Sequence, residues 1–256
     1  MAMSRLFHQS FHPNKDNKSN HIERLNFLPL SRKIHYYKKY EKRTFGYFMK
    51  TLFRELLKND VTVVTSGDIY KMFPELNENA VQAKIKRCLS GGELLRLYKG
   101  VYALNASYSH RAVAEEQVAQ AIDKQSYLSG LAALRFHNLI PEVVNFKIFF
   151  GTKNANVNSS NIRFEIKKID SELTSLGIEE VKVADKTFRV ADPVRAIFDV
   201  FLGLKMSPKT RNQICAYLRI EDEDAERIDW SQAFFYASRL NSELANSIAH
   251  AMATEA

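Results

Sequence analysis

Amide and basic side chains recur at helical spacing in the stretch that follows Asn77. At about 100° per residue these polar positions share one face of a helix, and the opposite face is apolar. Binding to duplex DNA requires side chains that read bases and cations that contact phosphates, so a polar and basic helix face suits it. Lys86 and Arg87 are the best candidates for the groove, whereas Lys84 lies nearer the apolar side, as a flank contact. DNA contacts are expected at Asn79, Gln82, Lys84, Lys86, Arg87, Arg96 and Lys99.

The helix that carries these residues has recognisable ends. Asn77 or Asn79 can cap its first turn, because a short side-chain acceptor satisfies free backbone donors there. The Gly91-Gly92 pair ends it where a left-handed residue is needed. Two β-rich runs around the turn at Lys99-Gly100 predict a hairpin. Its strands are expected at Leu94–Tyr98 and Val101–Leu104, and the buried face of the helix at Val81, Ile85, Cys88 and Leu89.

Two more helices are predicted upstream of this one. The first covers Phe45 to Lys58, and Ser66 or Asp68 is expected to cap a short second helix that ends before Pro74. A small strand from Val61 to Val64 lies between them. Three helices followed by a hairpin predict a winged helix-turn-helix domain over residues 45–105, with the third helix in the major groove and the hairpin against the flanking backbone. The alternative is a solvated helix face with ordinary surface charges.

The charge of the 256-residue chain is unevenly distributed. Residues 1–100 contain 19 Lys/Arg and 9 Asp/Glu, whereas residues 101–256 contain 18 and 20. The basic excess therefore accompanies the candidate DNA-binding half, as a polyanion-binding surface requires. Residues 1–44 are polar and basic without sustained periodicity, and are expected to form a disordered arm. A basic surface can also bind RNA or acidic lipid.

Cysteine usage and hydropathy indicate a cytoplasmic protein. Cys88 and Cys215 are the only cysteines, and neither a disulfide framework nor a CxxC metal site is present. No stretch approaches the roughly 20 apolar residues of a membrane span, and Met1 to Ser10 lacks the apolar segment of a secretory signal. We expect no membrane association, no metal and no cofactor.

Residues 106–256 predict a mixed α+β domain with a helical C-terminal part, which makes the whole chain α+β. Ser109 is expected to cap a helix that reaches Ile122, and Ser126 and Ser129 to open a second helical stretch that ends before Pro141. Short β-rich runs follow at Val144–Phe150, Asn161–Ile169, Glu180–Val183 and Thr187–Val190.

A further helix is predicted after Asp192, its expected cap, with Pro193 at the first helical position. Arg195 and Asp199 fall one turn apart and can pair. The chain from Ser207 onward is expected to be helical, interrupted by an acidic loop over residues 221–226. Its aromatic stripes are typical of a core rather than of a cofactor site.

Three segments in this order resemble the AbiEi-type antitoxin and transcriptional regulator family. GELLRLYKGVYAL is similar to the family's wing, YLSGLAALRFHNL to the helix that opens its second domain, and VADPVRAIFDVFL to its strand-to-helix segment. The long basic arm and Val194, where an acidic residue often precedes the arginine, depart from the family pattern. The matching positions are Gly92, Arg96, Gly100, Tyr102, Arg195 and Asp199.

The resemblance implies a winged helix followed by an α+β domain, in a non-catalytic antitoxin of an abortive-infection toxin–antitoxin pair. The implied partner is a nucleotidyltransferase-like toxin encoded beside it, which such antitoxins counter without an obligatory tight complex. The antitoxin is also implied to bind its own promoter and repress the operon. A stand-alone winged-helix regulator is the alternative.

A Mg²⁺-dependent nuclease is the enzymatic alternative. Glu142 precedes a predicted strand, and Glu165 and Lys167 lie on a later one, as in restriction-endonuclease-like sites. Simple alternation explains the same residues, because Phe164 and Ile166 would then point inward. The chain contains no GxSxG, GxxxxGK[ST] or HExxH motif. We therefore predict a protein without catalytic residues.

Overall fold

The computed structural model describes residues 52–109, 111–159, 161–183 and 186–254. These residues form ten α-helices, a three-stranded antiparallel sheet and a six-stranded mixed sheet, so the α+β class is confirmed. Residues from Glu55 onward form one compact unit. The predicted arm over residues 1–44 and the first half of the predicted first helix, residues 45–51, lie outside the described residues.

The first part of the described chain contains three helices and the smaller sheet. The middle strand of that sheet is β3, in the order β1-β3-β2, and both pairings are antiparallel. The hairpin β2-β3 has the predicted bounds, whereas β1 lies two residues later at its start than predicted. The elements are α1 Leu52–Lys58, β1 Val63–Thr65, α2 Ser66–Met72, α3 Glu78–Ser90, β2 Leu94–Tyr98 and β3 Val101–Leu104.

The cap of α2 is Thr65, and the prediction of Ser66 or Asp68 was wrong. The Thr65 hydroxyl accepts a hydrogen bond from the Asp68 amide at 3.1 Å, and the Asp68 carboxylate accepts one from the Thr65 amide at 3.1 Å. This reciprocal arrangement is a capping box, in which Asp68 is the third helical residue. Because Thr65 also ends β1, strand and helix follow one another without a loop.

The larger sheet has the strand order β6-β7-β5-β4-β9-β8. β4 runs parallel to β9 and β5 parallel to β7, while the remaining pairs are antiparallel. Four strands coincide with predicted β-rich runs, but β4 and β6 were not predicted. The strands are β4 Tyr127–Ser129, β5 Lys147–Gly151, β6 Ala155–Ser159, β7 Ile162–Lys168, β8 Ile178–Val183 and β9 Lys186–Ala191.

One predicted helix start in this part was wrong, and a second was right only in part. α4 covers Glu115–Ile122 and begins after Ala114 without a side-chain cap. The Ser109 hydroxyl does not cap a helix, because it bonds within its own loop, with Arg111. α5 covers only Gly130–Phe136, and Ser126 precedes a strand rather than a helix. The helix does follow Ser129, but the hydroxyl of that residue donates to Asp199 and does not cap.

The C-terminal part is helical, as predicted. α6 begins at Pro193, with Asp192 as its cap: the Asp192 carboxylate accepts a hydrogen bond from the Arg195 amide at 2.7 Å. The predicted acidic loop at 221–226 instead contains a one-turn helix, whose acidic first turn suits the positive end of the helix dipole. The helices are α6 Pro193–Leu204, α7 Arg211–Leu218, α8 Asp222–Ala225, α9 Ala233–Leu240 and α10 Glu243–Ala253.

The two faces of the larger sheet are covered by different elements. Lys147 shares a face with Phe149, and its ammonium lies 2.6 Å from Glu116 of α4. Tyr127 and Ser129 point to the opposite face, where both bond to Asp199 of α6. α4 therefore lies on one face, and α6, with α5 and α10 against it, on the other.

One continuous hydrophobic core joins the hairpin to the larger sheet. It includes Leu97, Val101 and Ala103 of the hairpin together with the core residues of α4 and of the six-stranded sheet. The Ser159 hydroxyl of β6 donates to the carbonyl of Arg96 at 3.1 Å. The predicted boundary after residue 105 therefore falls within a shared core, and the hairpin depends on residues from both sides of it.

A buried ion pair anchors α6. Arg195 is 1% exposed, and its Nε lies 3.1 Å from Asp199 Oδ1, one helical turn away as predicted. Its guanidinium also donates to the carbonyls of Leu173 and Leu176, at 3.1 and 3.0 Å, and to the Tyr127 hydroxyl. Burial lowers the pKa of the Arg195 guanidinium, but the combined effect of Asp199, Tyr127 and Asp192 outweighs burial and raises that pKa above its ordinary value.

We expect Arg195→Met to lower the free energy of unfolding by about 3 to 5 kcal/mol, because it leaves the Asp199 carboxylate buried without its cation. Urea denaturation of the full chain measures the loss. Arg195→Met/Asp199→Leu should recover part of it, and Arg239→Met, at an exposed arginine, should change stability by less than about 0.5 kcal/mol. A loss no larger for Arg195→Met than for Arg239→Met would contradict a structural role of the pair.

Candidate nucleic-acid interface

α3 presents the predicted polar face to solvent. Asn77, one of the two predicted caps, accepts a hydrogen bond from the Ala80 amide at 2.9 Å and so fixes the first turn. Val81, Ile85 and Cys88 are buried, as the helical periodicity predicted, and Leu89 is half-buried. The exposed residues of the helix include Asn79, Gln82, Ala83, Lys86 and Arg87.

Lys84 lies to one side of this face. It is half-buried, and its ammonium lies 5.3 Å from the centroid of the Phe73 ring, within the range of a cation–π contact. This placement agrees with its predicted position nearer the buried side of the helix. The face centred on Gln82 and Lys86 is thus the part of α3 most open to a ligand.

A hydrogen-bonded corner fixes the hairpin to the end of α3. Gly92 adopts φ +72°, a left-handed conformation, and the next amide, that of Glu93, returns to the Cys88 carbonyl at 3.0 Å. Asn105, at the far end of the hairpin, donates its side-chain amide to the Gly92 carbonyl at 2.7 Å. Burial raises the pKa of the Glu93 carboxyl, and a hydrogen bond with Cys88 partly offsets this. Helix and hairpin are therefore held together at both ends of the corner.

The tip of the hairpin carries an exposed cation beside α2. Lys99 is exposed, and Gly100, which follows it, adopts φ +73°. The Gly100 carbonyl accepts a hydrogen bond from the Ser66 amide at 2.8 Å, so the turn rests on the first residue of α2. Arg96 is also exposed, next to an irregularity in the β2-β3 register.

The charge around this surface is mixed. Residues 52–105 contain 8 Lys/Arg and 6 Asp/Glu, whereas residues 1–51 contain 11 and 3. On α3 the cations occupy the C-terminal half, and Glu78 lies in the first turn. Most of the basic excess therefore belongs to residues before α1, and the described surface adds a local cluster rather than a broad field.

One contact of the polar face was not predicted. The Gln82 side chain donates from Nε2 to the hydroxyl of Tyr70 on α2 at 2.8 Å, and that hydroxyl lies 3.4 Å from Glu78 Oε1. The pairing depends on the packing of α2 against α3, because the two residues are twelve positions apart. The only sign of this contact in the local sequence was the spacing of Glu78 and Gln82, which lie one helical turn apart.

The residues of the nuclease alternative follow the alternation of an ordinary strand. Phe164 and Ile166 of β7 are buried, while Glu165 and Lys167 on the other face are half-buried. The Glu142 carboxylate forms an ion pair with Arg219. Within the described ranges, no three His, Cys, Asp or Glu residues form a group able to hold a metal ion.

Among the described helices, none has the length and apolar character that crossing a bilayer requires. No family model matches the chain. No curated protein matches it either. The function is therefore inferred from the surface of α3 and the hairpin, and from the resemblance of the three segments.

We expect Gly100→Ala to destabilise the protein by about 1 to 2 kcal/mol, because an L-residue at this position is held in the left-handed region. Gly100→Asn should lose less, since asparagine tolerates that conformation. Gly203→Ala is the matched control: it lies within α6, a Cβ there meets nothing within 4 Å, and alanine favours a helix. Thermal unfolding compares the three, and equal stability of Gly100→Ala and Gly203→Ala would contradict the constraint.

Proposed function

We propose that this protein is a cytoplasmic DNA-binding antitoxin that represses its own toxin–antitoxin operon. The observation that carries the proposal is the exposed amide and basic face of α3, followed directly by a hairpin with an exposed lysine at its tip. The partners are duplex DNA of its own promoter and a nucleotidyltransferase-like toxin. The toxin and the abortive-infection context are supported by the family resemblance alone.

The order of elements supports a winged helix-turn-helix over residues 45–105. α1, β1, α2, α3 and the hairpin follow one another in the sequence that such domains have. In that arrangement α3 enters the major groove, and the hairpin contacts the neighbouring backbone. The corner at Gly92 and the bond from Ser66 to Gly100 would hold the two contact surfaces in a fixed relation.

The residues of the surface divide into three roles. Lys86 and Arg87 lie in the groove, where a guanidinium can pair with guanine and an ammonium can meet a base or a phosphate. Asn79 and Gln82 contribute amides from the first half of α3. Phosphate contacts come from Lys99 and Arg96 on the hairpin and, at the flank of the helix, from Lys84.

Residues 106–256 carry the antitoxin activity, without catalysis. Residues 101–256 have two more acidic than basic residues, so this half lacks the basic excess that nucleic acid requires. Its polar strand faces suit a protein surface or an indirect role. The alternative is a scaffold that only dimerises the DNA-binding half, and a stand-alone regulator would need no toxin at all.

We expect Lys86→Ala/Arg87→Ala to weaken binding to the protein's own upstream duplex by at least about tenfold, because one base-edge contact alone contributes about 1 to 3 kcal/mol. Titration at several salt concentrations should also give a shallower salt slope, since phosphate neutralisation is lost. Lys209→Ala/Arg239→Ala removes the same two charge types from exposed C-terminal positions and is the control. Unchanged binding by the α3 variant would place the DNA surface elsewhere. Failure of the unmodified chain to prefer its upstream region over random duplex would reject the regulatory function.

Protection and repression should separate in full-length variants. In cells that express the neighbouring toxin, Lys86→Ala/Arg87→Ala should still protect but should derepress a promoter reporter. Glu165→Gln/Lys167→Met should protect as well as the unmodified chain, because these side chains have no catalytic role in the proposal. Protection lost together with promoter binding would make DNA binding the protective step. Loss specific to the β7 variant, at unchanged stability, would support the nuclease alternative.

A further inference from the structure

The hydrogen bond between α2 and α3 has a consequence for base recognition, if α3 contacts DNA as proposed above. Gln82 is exposed at the centre of the polar face, and its Nε2 donates to the Tyr70 hydroxyl at 2.8 Å. Tyr70 is half-buried, so its ring is held on α2 while its hydroxyl reaches the face of α3. The long Gln82 side chain is thereby held from a second helix.

We propose that Tyr70 is a positioning residue that orients Gln82 to read an adenine. A primary amide has two N–H donors and one carbonyl acceptor. Tyr70 takes one donor and leaves one N–H and the carbonyl oxygen. These two groups are the pair that a bidentate contact with adenine requires, because N7 accepts and the N6 amino group donates.

The neighbouring Glu78 strengthens this orientation. Its Oε1 lies 3.4 Å from the Tyr70 hydroxyl, on the side where that hydroxyl can donate. With its own proton directed to Glu78, the Tyr70 oxygen is an acceptor, so it favours the nitrogen of the Gln82 amide over the oxygen. The carbonyl end of Gln82 then stays available to the amino group of adenine.

An ordinary helix–helix contact would predict a different result. A bond that only ties α2 to α3 affects stability and weakens every DNA sequence alike, whereas a positioning bond affects discrimination at one base pair. Because holding a side chain in its reading orientation matters only when that side chain is present, the effect of Tyr70 should disappear once Gln82 is removed.

The experiment is a double-mutant cycle in the full chain. Each variant is tested on the site that the protein binds in its own upstream duplex, with that site substituted one base pair at a time. Gln82→Ala should lose most of the preference for A·T at one position. Tyr70→Phe should lower the preference at that same position by about threefold to tenfold, as expected for one hydrogen bond. Its affinity for random duplex and its salt slope should not change. Tyr217→Phe, at an exposed tyrosine of α7, is the matched control and should leave every position unchanged.

The results of this cycle decide the proposal. It is supported if Tyr70→Phe/Gln82→Ala discriminates no worse than Gln82→Ala alone at the shared A·T position. It is overturned if the two losses multiply, if they fall at different base pairs, or if Tyr70→Phe weakens all sequences equally. Binding of no duplex by the unmodified chain overturns both this proposal and the proposed function, whereas sequence-specific binding with an unaffected Tyr70→Phe overturns this one alone.

Discussion

The buried guanidinium of Arg195 is the constraint on which the larger half of the fold depends. A cation in a dry core is tolerated only where a counter-charge and acceptors surround it. Asp199 supplies the charge, and the Leu173 and Leu176 carbonyls supply acceptors from a different segment. Burial raises the pKa of Asp199, and the donors that Arg195, Ser129 and Tyr127 direct at it work in the opposite direction. Arg195 thus fixes α6, Tyr127 of β4 and the 3-10 helix Ser171–Ser175 relative to one another.

The shared core connects the layers around this ion pair to the hairpin, which belongs to the surface that we propose for DNA binding. β9 connects directly to α6 and pairs with β4, whose face opposite α6 packs on α4. α4 in turn contacts β1 and β3 of the smaller sheet. All of these contacts join packed elements, and none of them passes through a long linker. The hairpin is therefore supported by the same layers that surround the ion pair. The two functions that we propose for this chain would therefore share one structural support.

Local sequence patterns predicted the features whose structure is decided by near neighbours in the chain. The hairpin bounds, the Asp192 cap, the face of α3 and the Arg195–Asp199 pair all depend on neighbours within about one turn. β4 was not predicted, because its three apolar and hydroxyl residues stand directly before a helix and resemble the start of that helix. Pairing with β5 and β9 makes them a strand instead. In β6, asparagines at outward positions read as a loop. The Tyr70–Gln82 contact likewise requires knowledge of helix packing.

If the chain binds DNA as we propose, its uneven charge separates the rate of finding DNA from the recognition of a site. Residues 52–256 contain 26 Lys/Arg and 26 Asp/Glu, so this part has no net charge, and the whole excess comes from the first 51 residues. Long-range attraction governs association rates, whereas short-range contacts govern how long a complex lasts. In this protein the rate of encounter would follow the N-terminal segment, and the lifetime of the complex would follow α3. Proteolysis before α1 would then slow the search for a promoter while preserving the choice of sequence.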